Sequence, residues 1–200
     1  MKVIDAISQI LKIEGVNYLS AFPTTPVIEA AAAAGIQPVI CRQERVGVGI
    51  ADGYARTTRG NPPGVFAMQY GPGAENAYAG VATAYADSVP VLFLPLGHPL
   101  KRDRVFPHFS SVDSFKTITK SVEQINEPDR VIDTMRRAFS RLKNGRPGPV
   151  MVEIPSDIAN AELDSNILAA YSSSNPVLSS ANPSDVMASA KLLLEAKNPI

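Results

Sequence analysis

The 200-residue sequence predicts an α/β fold, a three-layer sandwich in which about six parallel strands carry helices on both faces. Two observations predict it. Helix-patterned and strand-patterned segments alternate about six times, and the strand segments are continuous apolar runs rather than half-polar ones. A strand that is apolar on both faces needs cover on both, which a parallel sheet with helical crossovers provides.

Each element follows from its own pattern. Val3, Ile7, Ile10 and Leu11 recur at helical spacing, and Gly15 supplies a stop. Residues 16–22 read as a short buried strand closed by Pro23. A helix then runs through Val27 and the alanines at 30–34 to Gly35, followed by a strand at 38–41. A helix at 43–58, a strand at 64–70, a turn at Gly71, Pro72 and Gly73, and a helix at 74–86 come next. Residues 89–96 form the most apolar strand, and 97–114 is long and irregular. A strand at 117–122, an amphipathic helix at 129–142 and a strand at 149–154 complete the expected domain, residues 1–164. Residues 165–184 hold no charge and are rich in serine, asparagine and proline, as a linker is. Beyond them, Ser184 and Asp185 can cap a helix carrying Val186, Met187, Leu192, Leu193 and Leu194. Residues 185–200 are expected to begin a further, truncated domain in which a strand would start near Pro199; the alternative is that the helix folds back onto the first domain.

Composition narrows the function classes. An apolar share of 45% and a charged share of 19% fit a soluble globular chain and exclude intrinsic disorder. Nineteen basic residues balance nineteen acidic ones, so the basic excess of a nucleic-acid binder is missing. Cys41 is the sole cysteine, which excludes an internal disulfide and a multi-cysteine metal site, and no other metal-ligand spacing occurs. No apolar run is long enough for a membrane span, and the first fifteen residues lack a signal-peptide core. A cytoplasmic protein is expected.

Ligands of parallel sheets bind beyond the carboxyl ends of strands, so the residues just after each strand carry the information. Glu44 follows a strand and opens a helix, where a carboxylate serves either as a cap or as an acid delivered to a crevice; taken alone, capping suffices. Gly71 and Gly73 suit an anion-binding turn or a merely tight one, and spacing alone favours the latter. Gly47, Val48, Gly49 and Gly53 have the wrong spacing for a dinucleotide fingerprint and fall inside a helix, where small residues let it lie close to the sheet. His98 and His108 bracket the long loop beside Lys101, Arg102 and Arg104; each could act as acid, base or anion contact, or simply be solvated. That basic cluster and Arg130, Arg136, Arg137 and Arg141 read as solvated faces.

In combination the motifs are specific. Residues 18–23 (YLSAFP), 42–44 (RQE), 51–56 (ADGYAR), 71–76 (GPGAEN), 84–90 (AYADSVP), 118–120 (ITK), 145–150 (GRPGPV) and 154–157 (IPSD) occur in the order seen in thiamine-diphosphate-dependent enzymes of the acetolactate synthase and 2-oxoacid decarboxylase superfamily. Residues 2–160 resemble the N-terminal domain that binds the aminopyrimidine ring, a flavodoxin-like fold. The sequence departs from the common pattern at Ala21, Thr24, Gln43 and Tyr70. The resemblance implies that Glu44 is the catalytic glutamate that hydrogen-bonds the ring and activates it, and that Pro23, Thr24, Gly71, Gly73 and Asn76 line the cofactor. It implies decarboxylation or carboligation of a 2-oxoacid in a homodimer or homotetramer whose active site lies between subunits. Thiamine diphosphate is the implied cofactor. Mg2+ would be held by a Gly-Asp-Gly motif that these 200 residues do not contain, hence outside this chain; a flavin is allowed but not indicated. The competing readings are one subunit of a heteromeric decarboxylase, a non-catalytic flavodoxin-like binding or assembly module, and a phosphate or nucleotide binder using Gly71 and Gly73.

Overall fold

The computed structural model describes residues 1–173 and 175–198. Ser174, Pro199 and Ile200 lie outside it, and with them the strand expected near Pro199 and one position of the expected linker. The chain alternates helix and strand: α1 (Val3–Ile13), β1 (Tyr18–Ala21), α2 (Val27–Ala33), β2 (Gln37–Ile40), α3 (Glu44–Thr57), β3 (Gly64–Met68), α4 (Pro72–Ala86) and β4 (Val91–Gly97). It continues with α5 (Ser111–Phe115), β5 (Ser121–Gln124), α6 (Val131–Lys143), β6 (Val150–Pro155), α7 (Ser156–Ala159) and α8 (Pro183–Glu195). Six strands form one sheet in the order β2-β1-β3-β4-β6-β5, and every pairing is parallel. The predicted fold class is the observed one.

Strand side chains alternate between two apolar layers. Val65, Ala67, Leu92, Leu94, Val150 and Val152 face α1, α2 and α6. Phe66, Met68, Phe93 and Met151 face α3, α4 and α5. This double burial is why the strands read as continuous apolar runs. Gly15 and Gly35 end α1 and α2 with φ of 83° and 76°, a backbone that favours glycine.

The second layer is drawn tightly onto the sheet. A Cβ on Gly47 would lie 2.2 Å from the Phe66 ring, and one on Gly64 would lie 2.0 Å from the Ala51 carbonyl oxygen. The buried Ser20 hydroxyl donates to the Gly47 carbonyl at 2.8 Å, tying α3 to β1. The small-residue reading therefore holds at Gly47, whereas Gly49 and Gly53 have nothing within 4 Å of a Cβ and are not packing glycines.

Two expectations shift. The strand placed at 117–122 begins only at Ser121, which registers with Val150. The preceding residues wind onto the end of α5, where the Thr119 hydroxyl donates to the Phe115 carbonyl at 2.7 Å. The segment 97–114 is not wholly irregular, because a 3-10 turn (Leu100–Arg102) and α5 lie within it. The basic run on α6 is more than a solvated face: Arg137 Nε donates to Glu123 at 2.9 Å, and Arg136 donates to the Ala170 carbonyl at 2.6 Å.

The uncharged stretch after the domain divides in two. Tyr171 is buried, and its hydroxyl donates to Glu14 Oε1 at 2.5 Å. Lys143 Nζ and the Ser173 hydroxyl both donate to Glu14 Oε2, at 2.6 and 2.9 Å. Burial and the Glu14 acceptor push the Tyr171 phenol far above its usual range, so it remains a donor. Further on, α8 is capped by the Asn182 side chain, which accepts from Ser184 N at 3.0 Å, rather than by Ser184 or Asp185. All its residues are exposed, Leu192, Leu193 and Leu194 included. Among the described residues, no helix is long and apolar enough to cross a membrane.

Two glycines, one in α3 and one at the start of β3, should respond oppositely to alanine. Gly64→Ala drives a methyl into backbone and is expected to cost about 3 kcal/mol or more. Gly53→Ala, on the exposed side of α3, should gain about 0.5–1 kcal/mol from helix propensity. Denaturant midpoints of the two variants check both signs.

Candidate functional site

Sequence order along the sheet reverses between β1 and β3: the chain leaves β1 for the outer strand β2, then returns to β1's other side. Such a reversal opens a crevice at the carboxyl ends of the two strands. The loop after β1 carries Pro23 and Thr24, both exposed, and the loop after β3 leads through Gln69 to Gly71 and Gly73. The Thr24 hydroxyl donates to Gln69 Oε1 at 3.1 Å, across this crevice. Gly71 caps α4 with φ 55° and ψ −110°, a conformation open to glycine, so this turn is built on a real backbone requirement.

Glu44 is the first residue of α3 and is only 2% exposed. The helix N-terminus favours its charge, but that does not replace the water it has lost. One oxygen is satisfied from the neighbouring helix, with Asn76 Nδ2 donating to Oε2 at 3.1 Å. The other is not. Among the described residues nothing donates a side-chain hydrogen bond to Oε1, which faces the backbone of Gly73; a Cβ there would lie 3.3 Å from it. The same Cβ would lie 2.5 Å from Gln69 Cγ, so the glycine keeps the space between Gln69 and Glu44 open.

Capping therefore does not account for Glu44. A cap accepts from the backbone of its own first turn, and Glu44 instead points its oxygens at α4 and at the Gly73 turn. Beside it, the buried Cys41 thiol donates to the Ala21 carbonyl at 3.3 Å, and burial pushes its pKa up, with Glu44 adding to the rise. Cys41 is thus a protonated wall residue and not a nucleophile. The open Glu44 oxygen, a flanking amide and a cleared backbone can together hold one polar edge of a planar heterocycle.

The structure brings Glu44, Gly73 and Asn76 into direct contact and places Gly71 and Thr24 on the rim. Pro23 touches none of these groups by hydrogen bond, lying on the exposed turn between β1 and α2. Gln69 was missed by sequence reasoning, since a polar residue at a strand end is unremarkable until its partner is known. A second missed residue is Glu153, 7% exposed within the apolar strand β6. Its signal was present: it is the one charge inside the run VMVEIP. Among the described residues, no group of three or more histidine, cysteine or carboxylate side chains is arranged to hold a metal ion.

Comparison with known proteins identifies the family. The family model described as thiamine pyrophosphate enzyme, N-terminal TPP binding domain, matches residues 1–124. The chain is 36% identical to the probable acetolactate synthase large subunit of Methanocaldococcus jannaschii, over 82% of this chain and 28% of that protein. It is 32% identical to the acetolactate synthase large subunit of Haemophilus influenzae, over 98% of this chain and 35% of that one. Acetolactate synthase isozyme 3 large subunit of Escherichia coli is 33% identical over 74% of this chain and 26% of its own length. The chain spans about a third or less of the relatives it matches.

Removing the Asn76 amide tests the site without touching Glu44 itself. Asn76→Ala leaves a buried carboxylate with neither oxygen bonded by a side chain, which is expected to cost about 1.5–3 kcal/mol of stability. Thermal or denaturant unfolding of the variant measures that loss.

Proposed function

This chain belongs to the thiamine-pyrophosphate enzyme family through its N-terminal binding domain, and on that premise we propose that it supplies the aminopyrimidine-binding half of an enzyme acting on a 2-oxoacid. The observation that carries the reading is the half-satisfied, buried Glu44. Its free oxygen would hydrogen-bond the ring nitrogen N1′ of thiamine diphosphate, with Asn76 fixing the carboxylate from behind. Gly73 would let the ring approach. When bound, the cofactor supplies a carbon nucleophile at C2 and an electron sink for decarboxylation or carboligation. The task of Glu44 is to hold a proton at N1′ and so tune the basicity of the neighbouring amino group. Its burial strengthens that hydrogen bond.

The diphosphate and its Mg2+ need donors that these residues do not provide, so we assign them to sequence outside this chain and to a second subunit. The reaction is of lyase or transferase type, as the acetolactate synthase name of the relatives suggests, in a cytoplasmic homodimer or homotetramer. Residues 1–164 act as the binding domain, 165–184 as a linker, and 185–200 as the start of a further domain; the wholly exposed apolar side chains of α8 support that division.

Glu44→Gln in the full-length protein is the deciding experiment. The variant keeps size and helix position, so folding should be retained. Deuterium exchange at C2 of bound thiamine diphosphate, followed by NMR, should slow by about 100-fold or more. Exchange at the wild-type rate would overturn the reading and leave a non-catalytic binding module.

A further inference from the structure

The loops after β1 and β3 are tied together beside the Glu44 site. Phe22 N donates to the Ala67 carbonyl at 3.1 Å, which extends the pairing of the two strands beyond Ala21. Thr24 N then turns back to the Phe22 carbonyl at 2.8 Å, and the Thr24 hydroxyl donates to Gln69 Oε1 at 3.1 Å. Thr24 is one of the positions at which the sequence departs from the common family pattern. The bridge therefore belongs to this chain rather than to the fold.

That one contact fixes what the Gln69 amide can offer. Its oxygen accepts from Thr24, and among the described residues nothing accepts from its nitrogen. The half-buried side chain thus presents N–H groups to a ligand and no free acceptor end. Its stem lies against the Gly73 turn: a Cβ on Gly73 would lie 2.5 Å from Gln69 Cγ and 3.3 Å from Glu44 Oε1. A neutral donor and the open oxygen of a buried carboxylate are therefore neighbours on one wall of the crevice.

We propose that Gln69, oriented by Thr24, is a substrate-binding residue whose amide nitrogen donates to the carboxylate of the 2-oxoacid. The inference rests on the function proposed above and names the group that receives the substrate's acid end. An anion entering this site meets the charge of Glu44, so it needs a donor on its own side. The residues around the crevice, Thr24, Gln69, Gly71, Gly73 and Asn76, include no cation. The Asn76 amide is turned to Glu44 and the Thr24 hydroxyl to Gln69, which leaves Gln69 Nε2 as the side-chain donor for a ligand. A neutral donor also suits the chemistry. Decarboxylation carries charge off the carboxylate, and a cation there would stabilise the starting anion more than the transition state.

The test uses the full-length protein loaded with thiamine diphosphate. Binding of oxamate, an unreactive analogue of pyruvate, is measured by calorimetry, and KM and kcat are measured with pyruvate. Gln69→Glu keeps the size of the side chain and adds a second negative charge. Its oxamate Kd and pyruvate KM are expected to rise about 30-fold over wild type at neutral pH. Both should recover toward wild type as pH falls to about 5 and the introduced carboxyl protonates. Thr24→Val, which frees the amide to rotate, should weaken both by about 5-fold, and Thr24→Ser, which keeps the hydroxyl, should restore them. The thiamine diphosphate Kd, measured separately, should change less than the oxamate Kd in each variant. If Gln69→Glu fails to fold, the two Thr24 variants carry the measurement. Constants unchanged in Gln69→Glu and Thr24→Val, or a Gln69→Glu defect that ignores pH, would overturn the assignment. So would a loaded wild-type protein that binds neither probe. A wild-type protein that does not bind thiamine diphosphate would instead overturn the underlying function.

Discussion

The close approach of α3 to the sheet is the constraint from which the site follows. Gly47 rests on the Phe66 ring and Gly64 lies under the Ala51 carbonyl, so neither position can carry a side chain. Because the helix is pressed down at both points, its first residue is set at the carboxyl edge of the sheet, and Glu44 is buried there instead of solvated. The same principle carries on to α4, where a Cβ on Gly80 would lie 2.8 Å from Val48 Cγ1. That contact fixes the distance from Glu44 to Asn76. Two helices held by missing methyl groups thus define one carboxylate's surroundings.

Three buried glutamates show how such a group is assigned to structure or to chemistry. Glu14 is saturated: a lysine, a tyrosine and a serine all donate to it, and it anchors the chain as it leaves the domain. Glu44 is half satisfied, with one oxygen held and the other aimed at a glycine. Glu153 is satisfied by Gln124 and Ser111 and lines the same narrow crevice as His98 and His108. A buried charge without full partners is destabilising, and its persistence points to a ligand that completes it. Glycine marks both acids at the carboxyl edge, Gly73 beside Glu44 and Gly97 beside Glu153. At Glu44 the cost of burial falls where binding can offset it.

Local information went far in this chain. Continuous apolar runs announced doubly covered strands, because burial on both faces erases the polar alternation of a half-exposed sheet. Glycines at 15 and 35 marked helix ends, and Glu44 was visible as an acid directly after a strand and at the head of a helix, although its position alone left capping sufficient. Where sequence reasoning slipped, tertiary pairing was responsible. Strand β5 begins at the residue that meets Val150, not at the first apolar residue, and the cap of α8 is set by which side chain reaches Ser184 N.

What sequence alone determined is the set of elements, their apolar faces and the acid at the head of α3, since these depend on neighbours within a few residues. Tertiary structure decided which distant groups meet. Glu44 and Asn76 are 32 positions apart, and Ser111 and Glu153 are 42. Their encounters depend on the strand order, with β3 returning beside β1 and β6 inserted before β5. Periodicity carries no record of that order, because it is chosen by the packing of whole layers.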